Sequence, residues 1–331
     1  MAVKIIGTGS YVPEKILSNA DLEKIVDTTD EWITTRTGIR ERHIADDNTA
    51  TSDLAARAAI RAMENASVTP EQIDLIIVAT ATADTIFPNT ACRVQNKIGA
   101  SNAACFDVSA ACTGLIYAME IANGMLNASP RKYRYALVIG SDKLSSITDW
   151  TDRSTCVLFG DGAGVLVLKN DPESGADSNF VVESEIGANG AYMELLKMPA
   201  GGSAMPASHE TVDQRLHTLK MAGKEVFKLA VGGMVDACKH ILAASGVTPD
   251  QLAWVIPHQA NQRIISAVAQ RLDASPERVF SNIARYGNTS SASIALCLDE
   301  LNSAGKLHKG DLVLLTAFGG GLTWGAMLIR W

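Results

Sequence analysis

Short apolar runs alternate along this chain with longer stretches whose apolar residues recur at helical spacing. Leu75-Ile76-Ile77-Val78-Ala79 is the clearest run and has no polar position. A run without alternation predicts a strand covered on both faces, as in the parallel sheets of α/β proteins. Residues 53–66 and about 232–245 are Ala-rich and amphipathic, and predict helices. Further strands are predicted at 106–108, 164–168, 254–256, 279–283 and 326–329. Residues 312–329 carry no charge, which raises the question of a membrane span. Gly319, Gly320, Gly321 and Gly325 interrupt that stretch, so it predicts two buried strands around a glycine turn.

The pattern repeats. Val68-Thr69-Pro70-Glu71-Gln72-Ile73 recurs 179 residues later as Val247-Thr248-Pro249-Asp250-Gln251-Leu252. Each copy follows an Ala-rich helix and precedes an apolar strand. Thr at the N-cap, Pro at the first position and Gln at the third form a capping signal for a short helix. The same offset carries Val138-Ile139-Gly140 onto Ala317-Phe318-Gly319. Each half has a strand running into a small-residue helix start, Ala111-Cys112-Thr113-Gly114 or Gly287-Asn288-Thr289-Ser290. The chain is therefore expected to be two copies of one α/β unit, over 1–170 and 171–331. Cys112, His258 and Asn288 all fall where strands end, the place where open α/β sheets bind ligands.

Composition narrows the function. Of 331 residues, 47% are hydrophobic and 20% charged, which excludes a disordered chain. Twenty-six glycines and only 5% aromatics suit close-packed α/β layers. The net charge of −7 argues against broad nucleic-acid binding, although a local cationic patch could still grip an anionic ligand. Six scattered cysteines form no CxxC pair and no Cys/His cluster at zinc spacing, so no metal site is expected. Unpaired thiols and an N-terminus without a signal-peptide core fit a cytoplasmic protein, not a membrane one.

Cys112 follows an apolar strand and small residues and opens a helix marked by Leu115, Met119, Ala122 and Leu126. An isolated cysteine is more often a buried packing residue. A thiol at a helix N-terminus, however, feels the positive end of the dipole, which favours thiolate. The other five cysteines lack this context. His258 follows the strand 254–256 and precedes Ile264, Ile265, Val268 and Leu272, one face of a helix that it is expected to begin. Asn288 after Gly287 would ordinarily be a turn or cap residue. Beside a histidine, its neutral amide would suit a developing enolate oxygen. The run Phe318-Gly319-Gly320-Gly321 could bring a backbone N–H to a bound carbonyl and, with the Cys112 N–H, form an oxyanion hole. Gly160-Asp161-Gly162-Ala163-Gly164 imitates a nucleotide loop but precedes a strand, where a dinucleotide site needs a helix.

Together, Ala111-Cys112-Thr113-Gly114, Pro257-His258-Gln259-Ala260-Asn261, Tyr286-Gly287-Asn288-Thr289-Ser290 and Phe318-Gly319-Gly320-Gly321 resemble the thiolase-fold condensing enzymes. The likeness is closest to the β-ketoacyl-acyl carrier protein synthase III family. Glu31-Trp32-Ile33, the stretch Arg36-Thr37-Gly38-Ile39-Arg40-Glu41-Arg42, and the 160–164 motif are similar to it as well. The resemblance spans essentially the whole chain. It implies a duplicated thiolase-like fold with two βαβαβαββ-type halves in α-β-α-β-α layers. It also implies a decarboxylating Claisen condensation of a short acyl-CoA, acetyl-CoA above all, with malonyl-acyl carrier protein, starting fatty-acid synthesis. Cys112 would be the acylated nucleophile, His258 and Asn288 the enolate donors, and the Cys112 and Gly320 amides the oxyanion hole. No cofactor is implied, because acyl-CoA is a substrate.

Other positions carry over from the same resemblance. Trp32 and Arg153 correspond to the pair that sandwiches the CoA adenine, and Arg36 to a CoA phosphate contact. Thr28, Met221, Gly223 and Asn261 correspond to the pantetheine channel, and Phe87 to the large residue closing the acyl pocket. Arg263, aided by Lys228 and flanked by Gln259, Ala260, Asn261 and Gln262, corresponds to the carrier-protein dock. A basic pair often found further along that helix is here Gln270-Arg271. The family also implies a homodimer in which Phe87 lines the partner's pocket. Two alternatives stand beside this reading. One is a related Cys-His-Asn enzyme of a specialised polyketide or signalling pathway. The other is a non-catalytic carrier-protein partner, a class that typically lacks the nucleophile present here.

Overall fold

The computed structural model describes residues 2–173, 175 and 179–331. Its N-terminal sheet has five strands in the order Ala2–Tyr11, Gly162–Asp171, Tyr135–Asp142, Leu75–Ala79, Ala104–Val108. The C-terminal sheet runs Val181–Ala188, Thr323–Arg330, Leu312–Gly319, Trp254–Pro257. Each sheet starts with antiparallel pairs and ends in parallel ones. The element order therefore repeats, and the fold is a duplicated thiolase-like α/β fold.

The fifth position of the second sheet differs from expectation. Residues 279–283 do not form a strand. Only Val279 bridges to Val255, and Phe280 donates to the Val255 carbonyl at 3.0 Å. The ladder stops there because the Asn282 N–H turns to the Gln259 side-chain oxygen at 3.0 Å.

Helices Gly114–Ala128 and Ser293–Ser303 lie between the two sheets in one shared core. Sheets cover them on both sides, so Gly114–Ala128 buries Leu115, Ile116, Ala118, Met119, Ala122 and Leu126. Burying each such Leu or Ile contributes about 1.5–3 kcal/mol. Thr51–Ala66 and Thr90–Ile98 cover the outside of the first sheet. Gly223–Ser245 and Gln262–Arg271 cover the second. The result is the expected α-β-α-β-α layering.

Local signals explain most of these elements. All of Leu75–Ala79 is buried, as an unbroken apolar run requires. The duplicated Thr-Pro-x-Gln segments are single helical turns, Pro70–Gln72 and Pro249–Gln251. In each, the Gln side-chain oxygen accepts the Thr N–H, at 2.9 Å for Thr69 and 2.8 Å for Thr248. The uncharged stretch is the hairpin Leu312–Gly319 and Thr323–Arg330. No helix among the described residues is long and apolar enough to cross a membrane. The second long helix starts at Gly223, well before 232. Lys224, Glu225 and Lys228 are exposed on its outer side, while Val226 and Ala230 carry the buried stripe inward.

The two halves touch closely where the strand ends meet. A Cβ on Gly140 would lie 2.3 Å from the Ser291 carbonyl oxygen, so only glycine lets the turn before Ser293–Ser303 approach strand Tyr135–Asp142.

Candidate active site

Strand Ala104–Val108 leads into a turn of 3-10 helix, Ala111–Thr113, and then into helix Gly114–Ala128. Ala111 holds φ +47°, a left-handed conformation uncommon for a residue with a side chain. This turn puts the Cys112 thiol at the helix entrance. The Ser290 hydroxyl donates to Cys112 Sγ at 3.4 Å. Burial pushes the thiol up to about 12; the Ser290 hydrogen bond opposes that push and the nearby Asp142 carboxylate adds to it. The direction is opposite to the helix-end expectation, and desolvation by burial is its largest cause. The residue as a whole is only half-buried, since one side opens to the cavity.

Asp142 is fully buried beneath this turn and accepts from Ser291 N–H (3.1 Å), Ser291 Oγ (2.7 Å) and Ala81 N–H (2.7 Å). It ties the end of strand Tyr135–Asp142 to the turn that carries Asn288.

His258 follows strand Trp254–Pro257, and its N–H donates to the Thr316 carbonyl at 2.7 Å. It does not begin the next helix, which starts at Gln262 with Asn261 as the N-cap. The ring is 2% exposed. Nδ1 lies 2.7 Å from Ser293 Oγ, and buried Nε2 has no hydrogen-bond partner. Burial lowers the imidazole to about 3, so it is neutral at physiological pH.

Asn288 follows Gly287, whose φ is +63°. Its side-chain oxygen accepts the Ser290 N–H at 2.9 Å, which leaves the amide NH2 for the cavity. Its N–H donates to the Leu158 carbonyl at 2.8 Å, and its carbonyl accepts Gly160 N–H at 3.0 Å. A Cβ on Gly160 would sit 2.3 Å from the Tyr286 carbonyl oxygen. The 160–164 motif is thus a place where the Asn288 loop lies on backbone, and strand Gly162–Asp171 follows it as expected.

Cys112, His258, Asn288, Ser290 and Gly320 line one cavity of about 500 Å3. Thr323 couples two sides of its floor: its hydroxyl lies 3.1 Å from the Ala110 carbonyl and 3.3 Å from that of Gly320. The rest of the wall is mostly apolar and includes Leu158, Phe159, Phe227 and Phe318. Met221, Gly223 and Asn261 also line it, as the channel expectation requires. Leu196, Lys197 and Met198 line it too and were not anticipated. They belong to a flap in which Leu196–Lys197 pairs with Lys220–Met221. Nothing in the local sequence marks that pairing, because a two-residue ladder has no period. Ser290 and Ser293 were also missed as site residues. Their only local signal is a run of hydroxyl residues beside Asn288.

Of the remaining expected positions Ala260 also lines the cavity, and the others lie outside its lining. The guanidiniums of Arg36 and Arg153 lie over the Trp32 ring, 4.8 and 4.9 Å from its centroid. A sandwiched adenine would need roughly 7 Å between Trp32 and Arg153, two ordinary contact distances. The spacing between Trp32 and Arg153 is shorter than that. Arg153 is held where it is by the Asp27 carbonyl at 2.8 Å. Thr28 is half-buried with its hydroxyl unpartnered. The Arg36 carbonyl accepts from Asn261 Nδ2 at 3.1 Å, linking helix Asp30–Thr37 to the cavity wall.

Arg263 and Lys228 are exposed, and Arg263 lies over the Phe227 ring at 5.6 Å. Ala260 and Gln262 are half-buried beside them. Gln259 departs from the docking expectation. It is 1% exposed, and its amide is spent inside on the Pro257 carbonyl (2.6 Å) and the Asn282 N–H (3.0 Å). Phe87 does not close the cavity within one chain; it is 84% exposed, beside Ile86 at 85%. No group of three or more metal-ligating side chains occurs among the described residues. Arg42, part of the 36–42 motif, is fully buried, with its guanidinium on the Leu17 and Val157 carbonyls and the Asn19 side chain. That residue braces the floor beneath the Asn288 loop.

Comparison with known proteins agrees with this picture. The family model 3-oxoacyl-[acyl-carrier-protein (ACP)] synthase III matches residues 106–190, and its C-terminal counterpart matches 242–331. The chain is 54% identical over 331 residues to the β-ketoacyl-[acyl-carrier-protein] synthase III of Caldanaerobacter subterraneus, covering 100% of this chain and 98% of that one. The crystal structure of 3-oxoacyl-[acyl-carrier-protein] synthase III from Aquifex aeolicus superposes with a TM-score of 0.90 at 47% identity, with 100% of both chains covered. The priming β-ketosynthase of the R1128 polyketide pathway superposes with a TM-score of 0.90 at 35% identity, over 99% of this chain and 96% of that one.

Fold and site together define a thiolase-like condensing enzyme, an acyltransferase. More narrowly, the chain belongs to the β-ketoacyl-[acyl-carrier-protein] synthase III family.

Proposed function

We propose that this enzyme condenses acetyl-CoA with malonyl-acyl carrier protein, giving 3-oxobutanoyl-acyl carrier protein, CoA and CO2, in the cytoplasm as a first step of fatty-acid synthesis. The observation that carries the reading is the cavity floor. There a thiol, an unpartnered neutral imidazole nitrogen and an amide NH2 converge under an apolar channel.

In the first half-reaction the Cys112 sulfur attacks the thioester carbonyl of the acyl-CoA, and CoA leaves as its thiol. The Cys112 and Gly320 amides take the oxyanion. In the second, malonyl-acyl carrier protein enters the same channel. His258 Nε2–H and the Asn288 NH2 hold its thioester oxygen while CO2 leaves, so the electron pair goes into an enolate. Both donors are neutral, so they stabilise that charge without handing over a proton that would quench it. The enolate carbon then attacks the acyl-Cys112 carbonyl, and the thiolate departs. No step calls on a metal or cofactor.

Arg36, Arg153 and Trp32 are the CoA-head contacts in this reading, and Arg263 with Lys228 the carrier-protein contact. In a homodimer, Phe87 would reach the partner's acyl pocket and favour a short primer. Turnover with acyl-CoAs of increasing length tests the reading, using malonyl-acyl carrier protein as acceptor. Acetyl-CoA is expected to give the highest kcat/KM. Product formed with an acyl-CoA acceptor but not with malonyl-acyl carrier protein would overturn the reading and favour a specialised enzyme with the same Cys-His-Asn set.

A further inference from the structure

We infer that Ser293 is a positioning residue that fixes the tautomer of His258, holding Nδ1 as an acceptor so that the ring's one proton sits on Nε2. The inference deepens the reading of His258 as an enolate donor and rests on it. It follows from counting protons. Ser293 is the first residue of helix Ser293–Ser303, is 2% exposed, and places Oγ 2.7 Å from His258 Nδ1. A serine hydroxyl has one proton to give and two lone pairs. Ser293 Oγ already accepts the Gln259 N–H at 3.4 Å. Among the described residues its own proton has one acceptor within reach, His258 Nδ1. If Nδ1 carried the ring proton instead, Oγ would accept twice and the hydroxyl proton would be buried without a partner.

The imidazole is neutral, so one nitrogen holds the proton and the other does not. With Nδ1 occupied as acceptor, the proton is on Nε2, the buried nitrogen left unpartnered. The opposite tautomer would turn a lone pair toward the enolate oxygen, and two acceptors would repel. Asn288 is oriented in the same manner: the Ser290 N–H holds its oxygen, so its NH2 faces the substrate. Neighbouring serines at the entrance of one helix thus set both donors.

The test is nitrogen NMR on the full-length enzyme labelled with 15N-histidine, the His258 signals being assigned by their loss in His258→Gln. At neutral pH the wild type is expected to show an unprotonated Nδ1 and a protonated Nε2. A proton on Nδ1 would overturn the inference without any Ser293 variant. In Ser293→Ala the tautomers should mix, and malonyl decarboxylation should slow about tenfold, the worth of one hydrogen bond. Acylation of Cys112 by acetyl-CoA should stay within about twofold, and Ser293→Thr should restore both the spectrum and the rate. An unchanged tautomer in Ser293→Ala sinks the proposal. If no acceptor supports condensation, the functional reading fails, while the spectrum still decides the tautomer.

Discussion

At the cavity floor, Asn288 and His258 are each held by one polar atom of the side chain. Asn288 gives its oxygen to the Ser290 N–H, and His258 gives Nδ1 to Ser293. The opposite atoms are left as donors. This division makes two measurable statements. Asn288→Ala removes one of the two proposed enolate donors, so decarboxylation should fall by about a hundredfold while Cys112 acylation changes far less. Equal slowing of the two half-reactions would contradict the role. His258 loses its charge only near pH 3, since burial lowers it from the usual range, and above that it is neutral. Decarboxylation is therefore expected to be flat from pH 5 to 8 in a stopped CO2-release assay, and a bend near 6.5 would show a titrating imidazole. Cys112, His258 and Asn288 were legible because each stands in a short local motif, the first two directly after a strand and Asn288 after Gly287. The burial of Gln259 was not, because it depends on Pro257 and Asn282, whose positions come from the tertiary fold.

The elements that form the floor depend on backbone meeting backbone. Gly140 admits the Ser291 carbonyl, and Gly160 admits that of Tyr286. Gly140→Ala should force this turn outward and destabilise the protein by about 1–3 kcal/mol, the usual cost of overpacking a tight core. Chemical denaturation would measure it; a loss below about 0.5 kcal/mol would mean that the turn yields freely. Periodicity located the buried strands and the two long helices, since apolar repeats report burial directly. It overran at 279–283, where apolar Val279, Phe280 and Ile283 serve three different contacts rather than a ladder. It stopped short at Gly223–Ser245, where charges on the outer face hid the start of the inner stripe.

On the scale of the whole molecule, an acidic chain places two exposed cations, Arg263 and Lys228, beside a residue of the cavity wall. Arg263 lies over the Phe227 ring of that wall and Lys228 follows it in sequence. Exposed Ile86 and Phe87 make an apolar tip that a lone chain would leave in water. Sedimentation is expected to show a dimer of 35.1 kDa chains, and Phe87→Asp to shift it toward monomer. A wild-type monomer at micromolar concentration would rule out the shared pocket. The sequence by itself determined the layered α/β class, the repeat of strand and helix order, and the three residues Cys112, His258 and Asn288 that meet in one cavity, because all of these are written in local periods and motifs. Only the tertiary structure decided that the thiol is raised rather than lowered, that Arg153 lies on Trp32, and that Leu196, Lys197 and Met198 line the cavity. Those outcomes depend on desolvation and on contacts between segments far apart in the chain, and no local pattern encodes either.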